Sequence, residues 1–176
     1  MSSKIALAAL AVILVLVNWS IAGKERHLAS GRVVYLELAP VDPRSLMQGD
    51  YMALRFGLAN QVHNALPKKT EKYRRWGHEV DASDGYVVAS LDERNVASFK
   101  YLHQDQTLAE NEILMRYRVR NGAVKFATNA FFFQEGRDKY YQTARYGQFR
   151  VDDRGELLLT AMYDKELKKL GPEENN

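Results

Sequence analysis

The chain opens on a continuous apolar run, and the rest of it alternates between apolar and polar positions. Residues 5–17 include no polar side chain, and the apolar stretch continues to Ala22, shortly before the next charged residue at Lys24. A stretch of about 18 residues is at the short end of what a helix needs to cross roughly 30 Å of hydrocarbon. Because it is apolar on every face, it would make a poor surface helix in a soluble domain. The pattern therefore predicts a membrane-spanning helix, with residues 5–22 in contact with the lipid bilayer.

Two other interpretations of this segment remain open. A cleaved secretory signal combines a basic start, a short apolar centre and small residues at the cleavage point, and cleavage after Ala22 would fit that pattern. The third interpretation is a buried core helix. Trp19 occupies the position of an aromatic anchor at the membrane interface, with charged residues soon after it. We therefore expect the segment to be retained as a single-pass anchor in the cell membrane.

The orientation of the anchor follows from the lengths of its two flanks. Lys4 on the short side and Lys24 with Arg26 on the long side nearly balance in basic charge. A tail of a few residues is easily left in the cytoplasm by a signal anchor. We therefore expect the C-terminal domain to be extracytoplasmic, and periplasmic in a bacterium.

The remaining sequence is typical of a mostly antiparallel β domain with short helices. Apolar spacing over residues 58–66 predicts a helix that ends before Pro67. Asn121-Gly122 is typical of a two-residue hairpin turn, because both residues tolerate positive φ. A second hairpin is expected around Asp152-Asp153-Arg154-Gly155, and helical segments over residues 138–146 and 164–170. Strands are predicted at residues 33–38, 50–56, 86–91, 96–102, 113–119, 123–133, 149–151 and 157–159.

These elements predict the domain organisation. Residues 1–23 form the anchor or signal peptide, residues 24–172 a β-rich domain, and residues 173–176 a flexible tail. We expect antiparallel sheets that are partly barrel-like, behind one N-terminal transmembrane helix.

Composition excludes several classes of function. The 25 Lys and Arg residues against 22 Asp and Glu give a net charge of +3, too balanced for a nucleic-acid-binding surface. The absence of cysteine removes disulfides, thiolate metal sites and a cysteine nucleophile. The four histidines include no pair at metal-ligand spacing, and the chain has no Gly-rich phosphate loop. We therefore expect no metal and no cofactor.

The most informative stretch is Gly49-Asp50-Tyr51-Met52-Ala53-Leu54-Arg55-Phe56. As a structural element, Gly49-Asp50 after a proline-rich loop predicts a tight turn before a strand. The stretch resembles the G-D-Y-x-x-L-x-Y signature after which the GDYXXLXY family is named, with Phe56 in place of the last tyrosine. Similar blocks occur along nearly the whole chain: Trp19 with Lys24-Glu25, Asp42-Pro43-Arg44-Ser45, Phe131-Phe132-Phe133-Gln134-Glu135-Gly136 and Ala144-Arg145-Tyr146-Gly147.

The resemblance implies a membrane-anchored bacterial protein. Members of that family have no established activity, and they are often encoded beside multi-pass membrane proteins, so it implies a multi-pass membrane protein as partner. Phe56 keeps the aromatic ring of the signature and lacks its hydroxyl, so a role that needs a hydrogen bond at this position would be lost.

A weaker similarity points to serine-lysine peptidases, such as type I signal peptidases and self-cleaving SOS repressors. The Gly49-Asp50 turn and the later strands look like the β core of that class, in which a neutral strand lysine activates a loop serine. Lys100 would be the lysine, and Ser45 is the loop serine. Ser45 stands four positions before Gly49, about half the distance found in that class. We therefore expect shared architecture without the activity.

Two further groups of residues are candidates for function. Asp50, Glu135 and Arg145 would form a polar site if the fold brought them together. The rings of Phe131, Phe132 and Phe133 cannot all lie on one face of a strand, so an exposed ring would mark a partner surface. We expect a non-enzymatic domain that binds a multi-pass partner, with a serine-lysine hydrolase and a small-ligand binder as the alternatives.

Overall fold

The N-terminal helix is the longest element of the chain. The computed structural model describes residues 2–40, 47–48, 50–68 and 80–172. Helix α1 (Ser2–Ser30) is 29 residues long, and none of its most apolar window is buried in the protein. Its large apolar side chains between Ile5 and Ile21 are 49–80% exposed. This is one helix long and apolar enough to cross a membrane, which is consistent with single-pass anchoring. Its exposure is incompatible with a core helix.

The last turns of α1 contact the β domain. The Gly31 amide donates to the His27 carbonyl at 2.9 Å, and the Arg150 side chain donates to the Gly31 carbonyl at 3.0 Å. The His27 Nε2 atom lies 2.9 Å from the Arg150 carbonyl. A Cβ atom at Gly31 would lie 2.6 Å from the His27 carbonyl oxygen, so only glycine fits where the chain leaves the helix. The helix therefore continues past residue 23 and is attached to the domain at its end.

The strands form three antiparallel sheets. The first has the strand order β1-β9-β10, with β1 (Arg32–Glu37), β9 (Tyr146–Val151) and β10 (Leu157–Tyr163). The second has the order β2-β3-β8, with β2 (Met47–Gln48), β3 (Tyr51–Ala53) and β8 (Ala130–Phe132). The third has the order β5-β4-β6-β7, with β4 (Ser83–Leu91), β5 (Ala97–Leu102), β6 (Glu112–Arg120) and β7 (Ala123–Lys125).

The two larger sheets approach each other at both ends, which makes the domain partly barrel-like. A parallel bridge pairs Tyr35 of β1 with Val96, directly before β5. On the other side, the tip of the β9–β10 hairpin reaches β6, where the Arg116 amide donates to the Gly155 carbonyl at 2.8 Å. Gly155 has a φ of +75°, and a Cβ there would lie 3.1 Å from the Leu114 carbonyl oxygen. The predicted β-rich fold behind one apolar helix is confirmed.

One hydrophobic core lies between the sheets. Helix α2 (Gly57–Ala65) covers it with Leu58 and Val62, which are 5% and 0% exposed. The strands contribute most of the largest fully buried side chains, among them Leu36, Met52, Met115, Phe149 and Met162. Because inward and outward residues alternate along β1, β6 and β9, each strand presents its other face outward.

The predicted β-turn at Asn121-Gly122 is confirmed. The two residues have φ values of 52° and 71° and connect β6 to β7. The strand predicted over residues 123–133 is wrong, because this segment divides into β7 and β8, which belong to different sheets. Phe126 turns into the core at 1% exposure, and Ala127 has a φ of 29°. Burial of the Phe126 ring therefore accompanies the break in the strand.

The helix predicted over residues 164–170 is also wrong. The Asp164 side chain accepts hydrogen bonds from the Glu166 and Lys168 amides at 3.0 and 2.9 Å, and this closes a turn. The chain then returns to pair Lys169 with Tyr163. Residues 138–146 contain one short 3-10 helix (Asp138–Tyr140), and the last of them already begins β9.

Candidate functional site

The signature stretch has two faces with different environments. Met52, Leu54 and Phe56 are 1%, 5% and 4% exposed. Between them, Ala53 is half-buried and Arg55 is exposed. The alternation is that of a strand with one buried face. Leu54 and Phe56 of the signature are therefore core residues, while Gly49 lies outside the described residues.

Phe56 has a packing role. Its ring meets the Phe149 ring edge to face, with centroids 5.4 Å apart. A Cβ atom at Gly147 would lie 3.2 Å from the Phe56 ring, so the glycine makes room for the aromatic side chain. The signature and the Ala144-Arg145-Tyr146-Gly147 block therefore meet at this point. The site is apolar, so the Phe56 ring packs here without the hydroxyl of the signature tyrosine.

An aromatic pair lies on the outward face of the same sheet. Tyr51 of β3 is directly opposite Phe132 of β8, and their ring centroids are 5.7 Å apart. Phe132 is 73% exposed. Phe131 and Phe133 face the other way and pack on Tyr141 at 5.0 and 5.2 Å between centroids. The run of three rings therefore presents one ring to solvent, and we call Tyr51 and Phe132 the aromatic pair.

A groove of about 770 Å³ lies beside the aromatic pair, between β3, α2 and the segment around β7. We call it the signature groove. Arg55, His63 and Lys125 line it, and none of its described lining residues is Asp or Glu. Among the described residues, no carboxylate pairs with Arg55 or Lys125. The groove is open to solvent and is lined by the positively charged side chains of Arg55 and Lys125.

Sequence reasoning missed the signature groove. Arg55 gave a local signal, because it is a charged residue between two apolar positions of a strand and must point outward. His63 and Lys125 gave none, since only the packing of α2 against β7 places them opposite Arg55.

The polar site of Asp50, Glu135 and Arg145 stays a prediction; among the described residues, the ion pair of Arg145 is with Glu37. The Arg145 Nε atom lies 3.4 Å from a Glu37 carboxylate oxygen, with both side chains about half exposed. The Asp50 carbonyl accepts the Phe133 amide at 3.0 Å, which joins the signature to the Phe131–Phe133 block. Glu135 is exposed. Within the described ranges, no three His, Asp or Glu side chains converge as metal ligands would.

Lys100 forms an ion pair with the buried carboxylate of Glu112. Its Nζ atom donates to Glu112, which is the one buried charged residue in the described part of the chain, at 6% exposure. Glu112 also accepts the Tyr101 hydroxyl at 3.2 Å and the Ala109 amide at 2.9 Å. The hydrogen bond that Lys100 donates to Glu112 raises the pKa of Lys100 above its ordinary value. A neutral lysine base needs the opposite shift, and Ser45 lies outside the described residues, so the similarity to serine-lysine peptidases stays a prediction.

Comparison with known proteins gives one match. A family model described as GDYXXLXY protein matches residues 13–162, from within α1 to nearly the end of β10. The match therefore includes the aromatic pair, the signature groove and the attachment of the helix. No curated protein and no solved structure matches the chain.

Proposed function

The chain belongs to the GDYXXLXY family, and from that premise we propose that it is a membrane-anchored, non-enzymatic domain that binds a multi-pass membrane protein. The aromatic pair is the proposed contact surface. The observation that carries the proposal is the 73% exposure of the Phe132 ring directly opposite Tyr51 of the signature. In this proposal α1 is retained in a bacterial cell membrane and the β domain is periplasmic.

The environment of Phe132 supports a protein contact. Its neighbours Phe131 and Phe133 pack on the Tyr141 ring, so the domain covers two rings of this segment. The Phe132 ring between them is exposed. Aromatic side chains dominate binding energy at protein interfaces because they bury a large rigid area at low entropic cost. Tyr51 supports the ring from the neighbouring strand, which keeps the surface preorganised.

The anchor supports a partner in the same membrane. A helix that confines the domain to the bilayer raises the effective concentration of any protein embedded there. A small aromatic contact, too weak for binding between dilute soluble proteins, is then sufficient. A multi-pass protein with an apolar depression on its exposed surface has the complementary chemistry.

Site-specific photocrosslinking tests this function in native membranes. A photoreactive phenylalanine at position 132 is expected to crosslink a multi-pass membrane protein reproducibly. The matched control carries the same residue at position 108, since Leu108 is also an exposed apolar side chain, at 38% exposure. Adducts only with lipid or with soluble proteins at position 132, or the same adduct from position 108, would contradict the proposal.

The signature groove favours a second candidate, the binding of a small anionic ligand. Arg55 and Lys125 present positive charge beside the half-exposed Tyr51, a combination that suits a carboxylate or phosphate attached to an apolar group. Calorimetric titration of the full chain in neutral detergent with benzoate and phenyl phosphate tests it, with benzyl alcohol as the uncharged control. Binding of the anions that Arg55→Gln weakens would support this candidate, and heats equal to those of benzyl alcohol would exclude it.

A further inference from the structure

A separate cavity lies where α1 leaves the bilayer. It has a volume of about 380 Å³, is open to solvent, and is lined by α1, the outward face of β6 and the first residues of β10. Lys24 from the helix and Arg116 and Arg118 from β6 line it, and Leu158 and Leu159 form a half-buried apolar wall. We call it the exit cleft.

With α1 across a bilayer, Trp19 would place the exit cleft at the level of the lipid headgroups. Trp19 is 80% exposed, and tryptophan on a membrane helix prefers the interface between hydrocarbon and water. Lys24 follows five residues later, which is about 7–8 Å along the helix axis. A smaller cavity of about 320 Å³ contains both Trp19 and Lys24 and joins the exit cleft at Glu156 and Leu157. The hydrogen bonds of His27 and Gly31 to the domain hold this arrangement in place.

The charges of the exit cleft are only partly compensated. Arg116 is paired with Glu156, and Asp84 lies 3.3 Å from its other nitrogen. Arg118 donates instead to the Ala127 carbonyl at 3.0 Å. Among the described residues, neither Arg118 nor Lys24 has a carboxylate partner. Two cations next to an apolar wall therefore remain to attract an anion.

We propose that the exit cleft binds the phosphate of an anionic phospholipid, with Lys24 and Arg118 as its contacts. Basic residues near the surface of a bilayer attract anionic headgroups, and a pocket adds contacts that a flat surface lacks. The apolar wall of Leu158 and Leu159 faces the glycerol backbone, and the acyl chains continue along α1 into the membrane. This inference goes beyond the proposed partner binding and does not depend on the aromatic pair.

The test measures lipid binding by the full chain in neutral detergent. Phosphatidylglycerol is titrated into the protein and its adducts are counted by native mass spectrometry, with phosphatidylcholine as the neutral lipid. Each cation is expected to contribute about fivefold in apparent affinity, so Lys24→Gln with Arg118→Gln should weaken binding by about 25-fold. The charge-preserving pair Lys24→Arg with Arg118→Lys should retain binding and shows that the fold tolerates substitution at both sites.

A matched control removes the same charges elsewhere. Arg94 and Lys165 are exposed and lie near the far end of β10, about 20 Å along the strand from Leu157. Arg94→Gln with Lys165→Gln is expected to leave the adducts unchanged. Equal weakening by this control pair, or equal adducts with phosphatidylcholine, would overturn the proposal. Glycerol phosphate binding as tightly as phosphatidylglycerol would overturn the lipid as the ligand, because the wall and the bilayer would then contribute nothing.

Discussion

The inward and outward faces of the signature strand place different demands on their side chains. Leu54 and Phe56 point inward and meet other parts of the domain, where shape and volume decide which residue fits. Tyr51 and Arg55 point outward, where they meet an exposed ring and an open groove. The signature motif is therefore under two separate constraints. Its inward residues maintain the fold, and its outward residues are available for binding.

The largest expected effect comes from truncation on the inward face. Phe56→Ala removes a ring that is 4% exposed and leaves a cavity against Phe149 and Gly147. We expect a loss of about 3–5 kcal/mol in the free energy of unfolding. Urea unfolding of the full chain in detergent, followed by circular dichroism, measures it. Arg55→Ala on the outward face is the control, and we expect a change within about 0.5 kcal/mol. Similar losses for both variants would break the comparison.

Adding a hydroxyl to a phenylalanine ring on the inward or the outward face should change the free energy of unfolding less than the Phe56→Ala truncation. Phe56→Tyr places the hydroxyl of the family signature in a buried apolar site, and we expect a loss of about 1–3 kcal/mol if it stays without a partner. Phe132→Tyr adds the same atom to an exposed ring and should be neutral. The same unfolding measurement compares them. A stabilising Phe56→Tyr would instead reveal a hydrogen-bond acceptor at this site.

Acid titration extends the comparison to carboxylates. The Lys100 hydrogen bond, followed by the Ala109 amide, holds the pKa of Glu112 below its ordinary value. The stabilisation that ionised Glu112 gives the folded state is therefore complete above the ordinary glutamate pKa of about 4.3. It is lost as the pH falls through the lower pKa that Glu112 has in the folded state. We expect the melting temperature of the parent to fall more steeply below pH ~4 than that of Glu112→Gln.

Asp84 is the outward control for Glu112. Its side chain is 39% exposed, and hydrogen bonding to Arg120 also lowers its pKa. Because solvent and salt screen an exposed pair, Asp84→Asn should change the acid limb of the melting curve less than Glu112→Gln does. An equal change in both variants would show that burial does not separate the two carboxylates.

The smallest expected change in stability is at the aromatic pair. Phe132→Ser should alter the free energy of unfolding by no more than about 0.5 kcal/mol, because the ring is already largely in water. We expect the parent to co-purify a multi-pass membrane protein from native membranes, and the same variant should lose it. Leu108→Ser is the matched substitution at another exposed apolar site and should keep it. If Phe132→Ser still co-purifies the partner, the outward face is not needed for binding.

Local sequence predicted much of the fold. The apolar run predicted α1, and Asn121-Gly122 predicted its turn, since both signals depend on neighbouring residues. The predictions over residues 123–133 and 164–170 were wrong for two physical reasons. Phe126 turns into the core within the segment predicted as one strand, and the Asp164 side chain closes a turn where the spacing suggested a helix.

The candidate sites depended more on distant contacts. Alternation predicted that one ring of the three phenylalanines would differ from the other two, but only Tyr141 decides that Phe132 is the exposed one. The weaker similarity to serine-lysine peptidases implied a neutral lysine at position 100. The carboxylate of Glu112, on the adjoining segment of chain, raises the pKa of Lys100 instead.

By itself, the sequence determined that α1 is long and apolar enough to cross a membrane, the family and the β-rich pattern, because hydrophobicity and turn chemistry act between residues that are close in the chain. Only the tertiary structure decided which face of β3 is exposed, that the pKa of Lys100 is raised, and that Lys24 and Arg118 line the same exit cleft. Those properties depend on side chains from separate strands and helices, and their proximity arises only when the core has packed.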